Sequence, residues 1–76
     1  MNQRLPSVTA RQAIRALERA GFVVSRTSGS HYRLIHRIDP ARKVTVPVHT
    51  GDLVRGALRS IVTQAGLTVA EFVALL

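Results

Sequence analysis

With 76 residues the chain is expected to form one domain, 1–76, whose small core must be mainly aliphatic because only Phe22, Tyr32 and Phe72 are aromatic. Cysteine is absent, which excludes disulfides, thiolate zinc sites and cysteine nucleophiles; no apolar run reaches the roughly 20 residues of a membrane span, so a cytoplasmic protein is expected. Eleven Lys and Arg against four Asp and Glu give a formal charge of +7, nearly all of it arginine, which fits phosphate recognition by guanidinium forks and points to nucleic acid.

Thr9 with Gln12 reads as a capping box that opens a first helix. Ala10, Ala13, Ile14 and Leu17 follow at helical spacing, and Gly21 stands where a helix stops. Arg11, Arg15 and Arg19 form a stripe beside that apolar face, either a solvated flank or a rail for RNA. Three strands are expected next, over residues 22–26, 31–37 and 43–48, turned by Ser28-Gly29 and by Asp39-Pro40. Short connections make them an antiparallel meander, and Pro47, which lacks a donor, places that end of the last strand at an edge or out of the sheet. Gly56 to Ala65 reads as a second helix ended by Gly66, and Thr68 with Glu71 caps a short last helix. The order is α-β-β-β-α plus that extra C-terminal helix, an α+β fold with the helices on one face of the sheet.

Strand alternation then sorts the side chains. Core positions are expected at Phe22, Val24, Tyr32, Leu34, Val44, Val46 and Val48, joined by Ile14, Leu17 and Ile61 from the helices. The opposite face receives Val23, Ser25, His31, Arg33, Ile35 and Thr45, and the same alternation carried past the strand adds His49. His31 thus opens the second strand on an uncovered, cationic face. Histidine moves protons near neutral pH, so His31 is a candidate for general acid–base work on RNA. A solvated turn histidine is the plain alternative.

At this point the chain resembles the HicA toxins, the small mRNA interferases of HicA–HicB toxin–antitoxin pairs, from about residue 5 to 76. The segments that carry the resemblance are Leu17-Glu18-Arg19-Ala20-Gly21-Phe22 and Gly29-Ser30-His31-Tyr32. Val46-Pro47-Val48-His49, Gly56-Ala57-Leu58-Arg59-Ser60-Ile61 and Gln64-Ala65-Gly66-Leu67 complete it. The resemblance implies a fold like the double-stranded-RNA-binding domain, His31 as the catalytic residue and a HicB-type antitoxin covering the active face. It gives His49 a structural or supporting part. One departure is Tyr32, where many members carry a second histidine or another polar residue.

RNA brings its own nucleophile, the 2′-OH, so cleavage needs a proton acceptor, a proton donor and cations on the phosphate. His31 is the expected general acid and base. Arg26, Arg33, Arg42 and Lys43 are the expected RNA-binding cations, with Ser30 as a hydrogen-bond donor. A metal centre is not expected: the histidines are His31, His36 and His49, the first two on opposite faces, and carboxylates are too few for two-metal chemistry. No cofactor is implied. The expected function is a toxin acting as a metal-independent endoribonuclease on mRNA. The alternative is a non-catalytic RNA-binding domain of the same fold. A DNA-binding helix-turn-helix is disfavoured because three strands separate the first two helices.

Overall fold

Thr9 begins the first helix by reciprocal capping. Its Oγ1 accepts the Gln12 N–H at 3.1 Å, and its own N–H donates to Gln12 Oε1 at 2.9 Å. In the computed structural model, which describes residues 4–76, α1 then runs Ala10–Arg19. The chain leaves it through Gly21 at φ 101°, a value that disfavours any residue with a Cβ. The strands follow as β1 (Phe22–Ser28), β2 (His31–His36) and β3 (Lys43–Pro47), then the helices α2 (Arg55–Ala65) and α3 (Val69–Ala74). The sheet is antiparallel in the order β1-β2-β3, giving the α-β-β-β-α arrangement of a double-stranded-RNA-binding domain with a short extra helix.

Small residues let α1 lie close to its neighbours on two sides. Ala10 and Leu17 join Phe22, Leu34, Val44, Val46, Ile61 and Ala65 beneath the sheet. Ala13 and Ala16 face Leu5, Val8, Leu58, Val62 and Phe72 between the helices. The loop after β3 is tied back to the start of α1, where the Leu53 N–H donates to the Val8 carbonyl at 2.8 Å and Thr9 bridges Asp52. Among the described residues no helix is long and apolar enough to cross a membrane.

Boundaries and burial depart from the sequence reading in ways that matter for function. β1 continues to Ser28 rather than ending at Arg26, because it pairs with β2 up to the hairpin. β2 and β3 stop at His36 and Pro47. Val24, expected in the core, is 39% exposed. Ile14, Tyr32 and Val48 are half-buried beside it. The cause is coverage: Phe22 is the one β1 residue buried under the helices, and the rest of the strand runs out past them.

Candidate active site on the open sheet face

The hairpin that presents His31 follows from Gly29-Ser30. Ser28 pairs with His31, which leaves a two-residue loop, and Gly29 takes φ 57° while Ser30 keeps a negative φ. That is the glycine-first pattern of a type II′ hairpin turn, whose twist matches the strands it joins. The Gly-Ser-His sequence therefore fixes His31 as the first residue of β2. Its side chain is exposed on the side of the sheet away from the helices.

Arg26 reaches the same face by a β-bulge. Plain alternation from Phe22 and Val24 would send Arg26 to the helix side. Instead the register shifts between Val24 and Arg26: Val24 pairs with Leu34 and Arg26 with Arg33, leaving Ser25 as the extra residue. Ser25 Oγ donates to the Arg33 carbonyl at 3.2 Å, which satisfies a group at the irregularity. The alternation restarts one residue later. Cross-strand rows on the open face then read Ser28–His31–Pro47 and Arg26–Arg33–Thr45, with Ile35 and Lys43 one row further on.

Arg26, Ser28, His31, Arg33 and Thr45 line one shallow cleft of 170 Å³, and no carboxylate is among its lining residues. A histidine, two guanidinium groups and two hydroxyls offer one proton carrier and several donors to an anion, with no local negative charge to neutralise them. Sequence reasoning singled out His31, Arg26 and Arg33. It did not single out Ser28, which sits opposite His31 only because β1 extends to the hairpin.

Other candidates stand elsewhere. Ser30 is half-buried in the turn, and its carbonyl accepts the Val48 N–H, so it ties the hairpin to the chain leaving β3. Lys43 shares the open face with His31 but lies towards the far end of β3. Arg42 is turned to the core side: its Nε donates to the Ala65 carbonyl at 3.0 Å, Nη2 donates to the same oxygen, and its guanidinium carbon lies 5.4 Å from the Phe22 ring centroid. It is thus a cap on the C-terminus of α2, where a cation meets the unpaired carbonyls and the negative end of the helix dipole.

The remaining histidines are separated from the cleft. His36 Nδ1 accepts the N–H groups of Ile38 and Asp39 at 3.2 and 3.1 Å, so Nε2 carries the proton and donates to the Ala20 carbonyl at 3.1 Å. Its ring meets Phe22 edge-on, centroids 5.0 Å apart. A Cβ on Gly21 would come within 3.0 Å of that Nε2, a second reason for glycine there. His49, expected on the His31 face, instead lines a different groove with Pro47, Asp52, Leu53 and Val54, because the chain bends away after Pro47.

The fold and the cleft together define a small basic domain of the double-stranded-RNA-binding type with an exposed histidine among arginines on its open face. The HicA toxin model of bacterial toxin–antitoxin systems matches residues 10–67 of the 76, so the chain belongs to the HicA toxin family. The match spans α1, the whole sheet and α2, and therefore every residue of the cleft. It is the toxin of a toxin–antitoxin system, and such a toxin has a paired antitoxin. No curated protein matches the chain.

Proposed function

We infer that this toxin is a metal-independent endoribonuclease that cleaves mRNA in the cytoplasm, with His31 as general acid and base. The observation that supports it best is the cleft itself, in which His31 is grouped with Arg26, Arg33, Ser28 and Thr45. The imidazole of His31 takes the proton of a ribose 2′-OH, and that oxygen attacks the adjacent phosphorus. The bond from phosphorus to the 5′-oxygen breaks, and the imidazolium returns its proton to that oxygen. The products are a 2′,3′-cyclic phosphate and a free 5′-OH, so no external nucleophile and no cofactor are consumed.

Arg26 and Arg33 donate to the non-bridging oxygens of the scissile phosphate and offset the charge that grows as the oxygen adds. Ser28, in the row of His31, and Thr45, in the row of Arg26 and Arg33, supply neutral donors. Lys43, further along the face, holds a flanking phosphate. Arg42 is left out of this role because its donors are committed to the Ala65 carbonyl. Ser30 acts by setting the turn. A HicB-type antitoxin fits the inhibitor's part by covering the His31 face.

His31→Ala tests the assignment. Cleavage is expected to fall by roughly 10²–10⁴, the usual worth of a positioned acid–base group, while the fold and RNA binding remain. A chelator should leave the parental rate unchanged, a deoxyribose at the cut site should block it, and the product should carry the cyclic phosphate. A folded His31→Ala protein that cleaves as fast as the parent would reject the nuclease in favour of an RNA-binding module.

A further inference from the structure

The two edges of the sheet are not alike. On β3 the Thr45 N–H is taken by Gln64 Oε1 at 3.1 Å, and Pro47 has no N–H to offer. That edge is closed to another strand. β1 is the other edge, and two of its residues, Val23 and Val24, are 46% and 39% exposed on opposite faces of the strand. On the helix side of β1, Val24 opens into a groove of 310 Å³ between α1 and the sheet. Ile14, Tyr32 and Val48 supply the rest of its apolar lining, and Arg11, Arg15 and Glu18 its charged part.

We propose that this α1–β1 groove and the open edge of β1 form a docking surface for an acidic, aliphatic segment of the paired antitoxin. The proposal rests on the family assignment and not on the chemistry of His31. The lining selects the class of partner. Aliphatic side chains and the Tyr32 ring gain by burying apolar groups, which a phosphate backbone cannot supply. Two guanidinium groups against one carboxylate favour carboxylates on the partner, on a chain whose formal charge is +7. The free edge adds main-chain hydrogen bonds to an extended segment. Position gives the arrangement a purpose: β1 is the boundary between the groove on one face and Arg26 and Ser28 on the other. A partner anchored in the groove and wrapped over the edge reaches the His31 cleft without drawing its affinity from the catalytic groups.

The test uses the full chain with the purified protein encoded by the adjoining reading frame, as toxin and antitoxin genes are paired. Val24→Asp, which places a carboxylate in the groove, is expected to weaken that complex about thirtyfold, the loss typical of one central anchor. Val24→Arg is expected to weaken it less, because it removes the aliphatic contact but keeps the sign of the rim. Both should cleave RNA at the parental rate when free. In the unsubstituted complex, hydrogen exchange at the Val24 amide, which points away from β2, should slow, which needs no variant to fold. Unchanged affinity in a folded Val24→Asp protein, equal losses in the two variants, or an unprotected Val24 amide overturn the proposal. So does a parent that does not bind the adjoining protein. Loss of RNA cleavage in the folded variants assigns the groove to RNA instead. Cleavage and binding are scored separately, so a parent that binds but does not cleave rejects the nuclease and leaves this surface standing.

Discussion

His31 and His36 share one strand and have opposite surroundings. His31 is exposed beside arginines, whereas His36 is half-buried and joins three main-chain groups, the Ala20 carbonyl and the N–H groups of Ile38 and Asp39. Its ring also fills the space against Phe22 and Gly21. Removing it leaves the part-buried Ala20 carbonyl at the end of α1 without its donor and empties the space against Phe22, while the two exposed amides of the β2–β3 turn pass to water. His36→Ala is therefore expected to cost about 1–3 kcal/mol in stability, read as a lower midpoint in denaturant. Cleavage per folded molecule should not change, the reverse of His31→Ala. Alternation along β2 was enough to separate these two histidines in the sequence. It could not reveal the partners of His36 or Arg42, because those are carbonyls at the ends of two helices. Ala65 lies 23 residues from the arginine it binds. A cation in a basic sequence looks like any other until the fold shows which carbonyl it faces.

Among the elements, β1 departs most from its pattern, and the departure builds the cleft. Strand alternation is reliable only while pairing is regular, and the extra residue at Ser25 reverses every orientation after it. The sequence holds no signal for that bulge. Val-Val-Ser-Arg-Thr-Ser alternates no better in one register than in the other, and the deciding partner is β2. By contrast the capping boxes at Thr9 and Thr68 and the left-handed Gly66 were legible, since each is a local pattern with a local hydrogen bond. The bulge leads to a specific expectation. Deleting Ser25 joins Val24 to Arg26 and makes the strand regular while keeping Val24 opposite Leu34 and Arg26 opposite Arg33. The variant should fold, and it should cleave RNA at a rate comparable to the parent, as followed with a labelled transcript. A folded deletion variant without activity would mean that the bend at the bulge, and not only the face that Arg26 occupies, is required.

At the scale of the whole molecule, the arginines behind the charge of +7 do not share one role. Arg26 and Arg33 stand in the open-face cleft. Others are spent on the fold: Arg42 caps α2, Arg19 Nη1 donates to the Leu75 carbonyl at 2.6 Å, and Arg55 Nη1 to the Leu5 carbonyl at 3.4 Å. Composition alone counts all of these as equal attractors of a polyanion. RNA binding separates them through salt. Each phosphate neutralised releases condensed counterions, so the logarithm of affinity falls linearly with the logarithm of salt concentration, and the slope counts the contacts. Arg26→Ala and Arg33→Ala should each weaken binding and flatten that slope by about one unit. Arg42→Ala should lower thermal stability through the lost α2 cap and leave the slope of the folded protein where it was. Titrating a non-cleavable, 2′-deoxy-substituted RNA across a salt series measures all three. If Arg42→Ala flattens the slope as much as Arg26→Ala does, the RNA path runs over the end of α2, and the open face is not the main contact surface.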